Sequence, residues 1–291
     1  MSSMSAACVD AALAQERYRS ARPKPRTHGG ASVLVEGKVA IVSGIGPGLG
    51  QATAHALARE GAQVVLAART ETYLKEVAAE IEAGGGTALT VPTDITDPDA
   101  CARLAATAAA ELGGVDVLVN SAFLYQPLER FEDANLDFWR EVHEVNLWGS
   151  LRLTQATIPF LRERGGGSIV FVNSMSARKI RSEDGGYASS KGALLTAAQT
   201  LAKELGPDRI RVNSVVPGWM WGPPVQTYVS WQAEERGISP EEFVAEIVAN
   251  IPLGEIPPQE DVANAVAFLA SDLARSVTGQ TLDVNGGEWF G

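Results

Sequence analysis

A tyrosine and a lysine four residues apart begin one helical pattern, in the segment "YASSK". At this spacing Tyr187 and Lys191 share a helix face, about 6 Å apart along the axis. An ammonium group about 4 Å from a phenol favours the phenolate by roughly 4 kcal/mol at an effective dielectric constant near 20. The pair therefore predicts a phenol pKa lowered from about 10 toward neutrality and able to exchange a proton with an alcohol oxygen. Taken alone, the same spacing also fits an ordinary helix face.

Two further polar side chains strengthen the chemical interpretation. Ser174 lies thirteen residues before Tyr187, at the carboxyl end of the apolar run "SIVFVNS", where ligands of open α/β sheets bind. We expect its hydroxyl to hold a carbonyl oxygen beside the phenol, and Ser176 is the less favoured alternative. Asn146, in the middle of a helical pattern, must have a definite hydrogen-bond partner if it is buried. A structural cap on a nearby strand is the competing explanation for Asn146.

A glycine-rich turn follows the first apolar run, with Gly44, Gly48 and Gly50 spaced as G-x-x-x-G-x-G. Glycines at such a turn permit a tight bend and let the backbone approach a pyrophosphate. The helix that begins near Leu49 presents unpaired N–H groups and a positive dipole end to phosphates. The turn therefore predicts a dinucleotide site, although glycine-rich turns without a ligand also occur.

The end of the second apolar run indicates which dinucleotide binds. NAD-binding forms carry an acid about 20 residues after the glycines, which accepts hydrogen bonds from the ribose hydroxyls. Here the chain has Arg69 and Thr70, with no carboxylate before Glu71. A guanidinium group suits a 2′-phosphate, and the threonine hydroxyl adds a donor. We predict that NADP(H) is preferred and that NAD(H) is possible; a solvated surface arginine is the alternative.

The elements that must position these groups alternate along the chain from Lys38 onward. Seven short runs read as strands: "KVAIVS", "AQVVLAA", "TALTVP", "VDVLVN", "SIVFVNS", "IRVNSVV" and "QTLDVN". Helical patterns between them include residues 72–83, 98–112, 136–161 and 187–205. The alternation predicts an α/β fold, a doubly wound parallel sheet of the Rossmann type with helices on both faces.

The domain organisation follows from where this alternation starts and where it is interrupted. We predict a single Rossmann domain over residues 33–291, with a lid insertion at about 219–256, where prolines and tryptophans break the pattern. Residues 1–32 carry five basic and two acidic residues, which predicts a flexible basic N-terminal extension. A targeting peptide is the alternative interpretation of that segment.

Charge and composition exclude several classes of function. The net charge of −11 argues against binding to a nucleic-acid backbone, which needs a basic footprint. No apolar run reaches the roughly 20 residues that span a bilayer. The two cysteines, Cys8 and Cys101, and three scattered histidines predict neither a disulfide framework nor a metal site. We therefore expect a soluble cytoplasmic protein that acts on a small molecule.

Several motifs in this order resemble one known family, the classical short-chain dehydrogenases/reductases. They are "SGIGPGLG", "TDITD", "DVLVNSA", "EVNLWGS", Ser174, "YASSK", "VNSVVPG" and "TGQTLDVNGG". The resemblance implies that Tyr187 is the general acid/base and that Lys191 lowers its pKa and holds the nicotinamide ribose. It also implies that Ser174 orients the substrate oxygen, that Asn146 positions a water in a proton relay, and that the chain forms a homotetramer or a homodimer.

The resemblance also implies further cofactor contacts. Asp94 and Ile95 flank the adenine, Asn120 and Ala122 line the adenosine side, and three residues lie near the nicotinamide: Pro217, Gly218 and Met220.

Three positions depart from the pattern of the family. Ser43 replaces its usual threonine, Phe123 replaces the last glycine of its N-N-A-G motif, and Gly222 stands where a threonine often grips the carboxamide. That last contact is therefore in doubt, and backbone groups near Met220 are its alternative.

Aromatic residues in the loops suggest the kind of substrate. The candidate wall residues are Phe123, Tyr125, Met175, Trp219, Trp221, Tyr228 and Trp231. They suit a medium-to-large hydrophobic ketone or secondary alcohol, or they pack the lid or a subunit interface. Three cations between Ser174 and Tyr187 attract an acidic substrate or form a solvated loop: Arg178, Lys179 and Arg181. The sequence thus predicts an NADP(H)-dependent oxidoreductase; the alternatives are an NAD-dependent alcohol dehydrogenase of the same fold and a non-catalytic nucleotide-binding sensor.

Overall fold

The computed structural model describes residues 33–291, so the extension predicted for residues 1–32 lies outside the described residues. Within that range seven parallel strands form one sheet in the order β3-β2-β1-β4-β5-β6-β7. The strands are β1 Val39–Ser43, β2 Gln63–Ala68, β3 Thr87–Pro92, β4 Val117–Asn120, β5 Gly167–Val172, β6 Ile210–Pro217 and β7 Thr281–Val284. This order confirms the predicted doubly wound parallel sheet.

Helices cover both faces of the sheet. They are α1 Leu49–Arg59, α2 Glu71–Ala83, α3 Pro98–Leu112, α4 Leu136–His143, α5 Ser150–Glu163, α6 Gly185–Leu205, α7 Pro223–Arg236, α8 Pro240–Val248 and α9 Gln259–Ala270. Apolar residues of α1, α2 and α9 pack on one face, and those of α3, α5 and α6 pack on the other. Every residue of β1 and β4 is buried, which explains why these strands read as nearly continuous apolar runs.

The single helix expected over residues 136–161 is divided in the structure. α4 ends at His143, a π-helical stretch covers Glu144–Gly149, and α5 continues from Ser150. Hydrophobic periodicity does not separate these forms, because the chain keeps one axis while its hydrogen bonds change from i+4 to i+5. The widened stretch contains Asn146, one of the predicted site residues.

The segment predicted as a lid contains two helices, α7 and α8. α7 and α8 both begin with proline, and Ser239 and Glu242 form a reciprocal capping box at the start of α8. Apolar side chains of the two helices and of the residues after α8 form a cluster separate from the two sheet clusters: Val229, Phe243, Ile247, Ile251 and Ile256. Across residues 33–291, no helix combines the length and apolar character needed to cross a membrane.

The sheet order creates a crevice between β1 and β4, since the chain continues to β2 on one side and to β5 on the other. At this position the turn after β1 touches the loop after β4. A Cβ atom placed on Gly44 would lie 2.3 Å from the backbone nitrogen of Ala122. Ligands of open α/β sheets bind at such a switch point, at the carboxyl ends of the strands.

Candidate active site

The glycine turn depends on glycine at each of its three predicted positions. Gly44 has φ +82° and Gly48 has φ +155°, in a backbone region that L side chains rarely adopt. A Cβ atom on Gly50 would lie 2.2 Å from the carbonyl oxygen of Gly44. The turn therefore closes tightly and leaves backbone, rather than side chain, facing the cleft.

The N-terminus of α1, directly after this turn, has the features of an anion-binding site. Gly48 precedes α1 and supplies no side-chain cap, and the first turn of α1 holds no acidic residue. Gly48, Leu49 and Gly50 line a cleft of about 660 Å³. Exposed N–H groups and the positive end of the helix dipole fit a pyrophosphate at this place.

Three of the four predicted catalytic side chains line that same cleft: Ser174, Tyr187 and Lys191. Ser174 follows β5 and accepts a hydrogen bond from the backbone nitrogen of Ser176 at 3.2 Å. The Lys191 Nζ donates to the carbonyl oxygen of Val172 at 2.9 Å and lies 5.7 Å from the centroid of the Tyr187 ring. The loop after β5 and the start of α6 thus come together beside the glycine turn.

The prediction that the Tyr187 phenol has a lowered pKa is wrong for the chain by itself. Burial raises the pKa of Tyr187 to about 12, although a side-chain hydrogen bond with Ser174 opposes that shift. Burial also lowers the pKa of Lys191 to about 7. The spacing of Tyr187 and Lys191 indicates the attraction between their charged forms, but it does not indicate the cost of removing both side chains from water. Burial therefore keeps the phenol of Tyr187 protonated at neutral pH.

Asn146 lies behind the cleft and is not among the residues that line it. Its Oδ1 accepts from the Leu124 nitrogen at 2.7 Å, and its Nδ2 donates to the Leu124 oxygen and to the Ser190 Oγ, each at 3.0 Å. The side chain therefore ties the loop after β4 to the helix that carries Lys191. Its part in a proton relay stays a prediction.

The predicted cofactor residues fall into two groups. Those at the glycine turn and after β6 line the cleft: Gly44, Gly48, Leu49, Gly50, Pro217, Gly218 and Met220. Those on the adenosine side lie outside it: Arg69, Thr70, Asp94, Ile95, Asn120 and Ala122. Asn120 is buried at the end of β4, and its Oδ1 has no hydrogen-bond partner among residues 33–291. An acceptor left open at this place fits a ligand that donates to it.

Aromatic side chains form the wall opposite the glycine turn. Five of the seven candidates line the cleft: Phe123, Tyr125, Met175, Trp219 and Tyr228. The Tyr125 and Tyr187 ring centroids are 4.7 Å apart, and those of Trp219 and Tyr228 are 5.7 Å apart. Trp221 packs into the apolar cluster of the lid instead, and Trp231 is exposed.

The three cations of the loop before α6 have different surroundings. Arg178 pairs with Asp283, and Lys179 pairs with Glu288, each at 2.9 Å. The Arg181 guanidinium lies 6.0 Å from the centroid of the Trp219 ring. Two of the three charges therefore connect the loop to the C-terminal segment, while Lys179 and Arg181 also line the cleft.

Four polar residues that line the cleft were not predicted from the sequence: Ser121, Asn173, Gln259 and Glu288. Asn173 is buried directly before Ser174, so its position at the end of β5 was a usable signal. Gln259 approaches the glycine turn from α9, and Glu288 from beyond β7. Nothing in local spacing places these last two beside the site. Within the described range, no group of three or more potential metal ligands comes together.

Comparison with known proteins agrees with this geometry. The family model described as Enoyl-(Acyl carrier protein) reductase matches residues 44–288. An uncharacterized short-chain type dehydrogenase/reductase of Sinorhizobium fredii, y4mP, is 35% identical over 260 residues, covering 88% of this chain and 98% of that protein. The 2,5-dichloro-2,5-cyclohexadiene-1,4-diol dehydrogenase LinX of Sphingobium indicum is 34% identical over 251 residues, covering 86% and 96%.

A solved structure gives the same result in three dimensions. L-sorbose reductase from Gluconobacter frateurii, complexed with NADPH and L-sorbose, superposes with a TM-score of 0.84 at 29% identity, covering 89% of this chain and 98% of that one. Fold, site geometry and relatives together show that the chain belongs to the short-chain dehydrogenase/reductase family and is an oxidoreductase that acts on CH–OH groups.

Proposed function

We propose that this protein transfers a hydride between NADP(H) and a hydrophobic ketone or secondary alcohol. The observation that carries the proposal is the convergence of Ser174, Tyr187 and Lys191 on the cleft that the glycine turn also lines. When bound, the nicotinamide supplies or accepts the hydride. The chain contributes the binding surface, the orientation of the oxygen and the proton.

The proton comes from Tyr187 in the direction of carbonyl reduction. Because burial raises its pKa to about 12, the phenol stays protonated at neutral pH and can donate from Oη to a carbonyl oxygen. The Ser174 hydroxyl, which already interacts with the phenol, donates a second hydrogen bond to the same oxygen. Lys191 holds the ribose side of the site through its Nζ, which lies 5.7 Å from the centroid of the Tyr187 ring.

The adenosine end supports the preference for NADP(H). Arg69 and Thr70 are exposed directly after β2, and Arg69 makes no ion pair within residues 33–291. A free guanidinium group can bind a 2′-phosphate with two parallel hydrogen bonds. We assign the adenine contacts to Asp94 and Ile95 and the adenosine contacts to Asn120 and Ala122, on the family pattern. The NADPH complex of the sorbose reductase supports this preference by relationship.

An assay of turnover tests the reaction itself. We expect NADPH absorbance at 340 nm to fall when the protein meets cyclic or aryl ketones, and to rise from NADP⁺ with the matching alcohols. A nucleotide-binding sensor would bind NADPH and consume none. An enzyme that turned over only small or charged carbonyls would contradict the hydrophobic substrate.

The preference for NADP(H) has its own test. Arg69→Ala should lower kcat/KM for NADPH by about 10- to 100-fold and leave that for NADH nearly unchanged, because a charge-assisted bidentate contact is lost. Arg275→Ala removes an exposed arginine that follows α9 and serves as the matched control. Equal loss with both cofactors, or no loss with NADPH, would contradict the assignment.

We also propose a homotetramer or homodimer. Large apolar side chains stay exposed on one chain, among them Trp148 at 51% and Phe290 at 79%, and a subunit interface that covered them would remove this apolar surface from water. Light scattering gives the mass; a monomer at micromolar concentration would contradict the proposal. The cytoplasmic location stays a prediction.

A further inference from the structure

One acidic side chain on the substrate side of the cleft has no role in the proposed reaction. Glu288 lies in the C-terminal segment after β7, lines the cleft, and is 5% exposed. Its Oε1 accepts from the Lys179 Nζ at 2.9 Å. Its Oε2 is buried and has no hydrogen-bond partner among the residues that the structure describes. One oxygen of this carboxylate is therefore paired, and the other is buried without a hydrogen-bond partner within residues 33–291.

The unpaired Oε2 of Glu288 is near Gly218, which the family pattern assigns to the nicotinamide. It lies 3.3 Å from the position that a Cβ atom on Gly218 would occupy, at the end of β6. Lys179, which holds the other oxygen, belongs to the loop between Ser174 and Tyr187. The carboxylate thus lies between the loop that carries Ser174 and the strand end assigned to the nicotinamide.

The segment that carries Glu288 is fixed rather than free to swing. The Asn285 Nδ2 donates to the carbonyl oxygen of Trp289 at 3.0 Å, and its Oδ1 accepts from the Gly287 nitrogen at 2.9 Å. At the base of the segment, Arg178 donates to both oxygens of Asp283 at 2.9 and 3.2 Å. These contacts hold the backbone on either side of Glu288, and Lys179 holds its Oε1.

An ionised carboxylate only accepts hydrogen bonds, and a buried one without a donor is unfavourable. A ligand that brings a hydroxyl donor removes that penalty, whereas an apolar ligand leaves it. Sites built in this way discriminate strongly against analogues that lack the hydroxyl, because the buried acceptor is then left unpaired. The aromatic wall around the same cleft suits an apolar carbon frame.

We infer that Glu288 is a specificity-determining residue, whose Oε2 accepts a hydrogen bond from a hydroxyl group of the substrate. The substrate class becomes a hydroxylated ketone, or the corresponding diol, on an apolar frame. This inference rests on the proposed function and deepens it. A donor in the nicotinamide carboxamide is the competing partner for Oε2, and the experiment separates the two.

The experiment compares cyclohexanone with 2-, 3- and 4-hydroxycyclohexanone. Calorimetry gives the Kd of each for the protein, with and without bound cofactor, and NADPH oxidation gives kcat/KM. We expect at least one hydroxy isomer to bind at least about tenfold more tightly than cyclohexanone to the natural chain, as one charged hydrogen bond allows. Glu288→Gln should reduce that preference severalfold, because its amide oxygen stays on Lys179 and a neutral NH₂ group, which can only donate to the hydroxyl oxygen, replaces the charged acceptor.

Asp283→Asn is the matched control, since it weakens the other ion pair of the segment without lining the cleft. It should keep the hydroxyl preference. A natural chain without that preference overturns the inference, and this comparison needs no variant to fold. A preference that survives Glu288→Gln, or a loss of NADPH affinity in its place, also overturns it.

The outcomes separate the inference from the proposed function. Turnover of all four ketones at equal kcat/KM leaves the proposed function standing and overturns the inference. Binding that prefers a hydroxy isomer through Glu288, without NADPH oxidation by any ketone, supports the inference and contradicts the proposed function.

Discussion

The cleft has two walls that are built in different ways. We call the turn 44–50 the cofactor wall, because the proposed function assigns it to the dinucleotide. We call the loop 174–184, the aromatic side chains of the lid 219–256 and the segment 285–291 the substrate wall. On the cofactor wall, glycine backbone and the start of α1 face the cleft. On the substrate wall, side chains from segments far apart in sequence meet, as Lys179 and Glu288 do.

This difference separates what each wall does. A backbone wall offers the same N–H groups whatever the neighbouring side chains are, so it suits a cofactor shared by a whole family. A wall of side chains changes with each substitution and suits the selection of a substrate. The residues that we propose for proton transfer lie between the two walls, because Tyr187 contacts Tyr125 of the loop after β4 and lies beside Lys191.

The largest expected effect tests that boundary. Tyr187→Phe removes the proton donor and should lower kcat by about 10²- to 10⁴-fold. The Kd for NADPH, measured by fluorescence, should change little, because the cofactor wall is intact. Near-normal turnover would contradict the assigned role.

Tyr125→Phe is the control for this substitution. Its ring centroid is 4.7 Å from that of Tyr187, and the variant keeps this contact while it loses a hydroxyl. We expect it to retain most of kcat. Equal losses in both variants would mean that packing of the rings, rather than proton transfer, explains the effect.

The second prediction concerns the backbone wall. Gly44→Ala should destabilise the fold by about 3 kcal/mol, because its positive φ disfavours a side chain and the new Cβ would lie 2.3 Å from the Ala122 nitrogen. Gly46→Ala, in the same turn, should change stability by about 0.5 kcal/mol or less, since a Cβ there meets no atom within 4 Å. Urea unfolding of both variants measures the difference. Equal destabilisation would show that the turn as a whole, and not the close approach at Gly44, sets its sensitivity.

The two walls also differ in how far the sequence predicted them. The turn through Gly44, Gly48 and Gly50, and the Tyr187 and Lys191 pair, are local patterns whose spacing alone carries the geometry. The sheet was predictable for the same reason, since buried parallel strands read as apolar runs. The structure confirms the family and the sheet; the roles of the individual site residues stay predictions.

The substrate wall was less predictable because its contacts join segments remote in sequence. The ion pair between Lys179 and Glu288 spans 109 positions, and no periodicity connects them. The prediction of the Tyr187 pKa failed for a related reason. Attraction between two charges can be judged from spacing, whereas burial depends on everything that packs around them. The π-helical stretch at Glu144–Gly149 was likewise hidden, because periodicity does not report it.

The smallest expected effect compares one carboxyl group near each wall. Hydrogen bonding from the Thr96 backbone is the main cause that lowers the pKa of Asp94 below its ordinary 3.8. Burial raises the pKa of Asp184 above the same value, opposed by Ser176, Tyr125 and Arg181. Asp94 therefore adds stability above about pH 4 that disappears as the pH falls through its folded pKa. Asp184 adds stability below about pH 4 that disappears as the pH rises through its raised folded pKa.

As the pH rises, the free energies of unfolding of the two asparagine variants, relative to the natural chain, should consequently change in opposite directions. Relative to the natural chain, Asp94→Asn should lose about 1 kcal/mol or less as the pH rises through about 4, because its exposed hydrogen bond is screened by solvent. Asp184→Asn should gain about 1 kcal/mol over the pH range above the ordinary pKa, because a buried amide carries no charge to desolvate. Urea unfolding from about pH 3 to pH 8 measures both differences. Parallel pH profiles for the two variants would show that the carboxyl groups near the two walls share one environment, and the contrast between a solvated cofactor wall and a desolvated substrate wall would not hold.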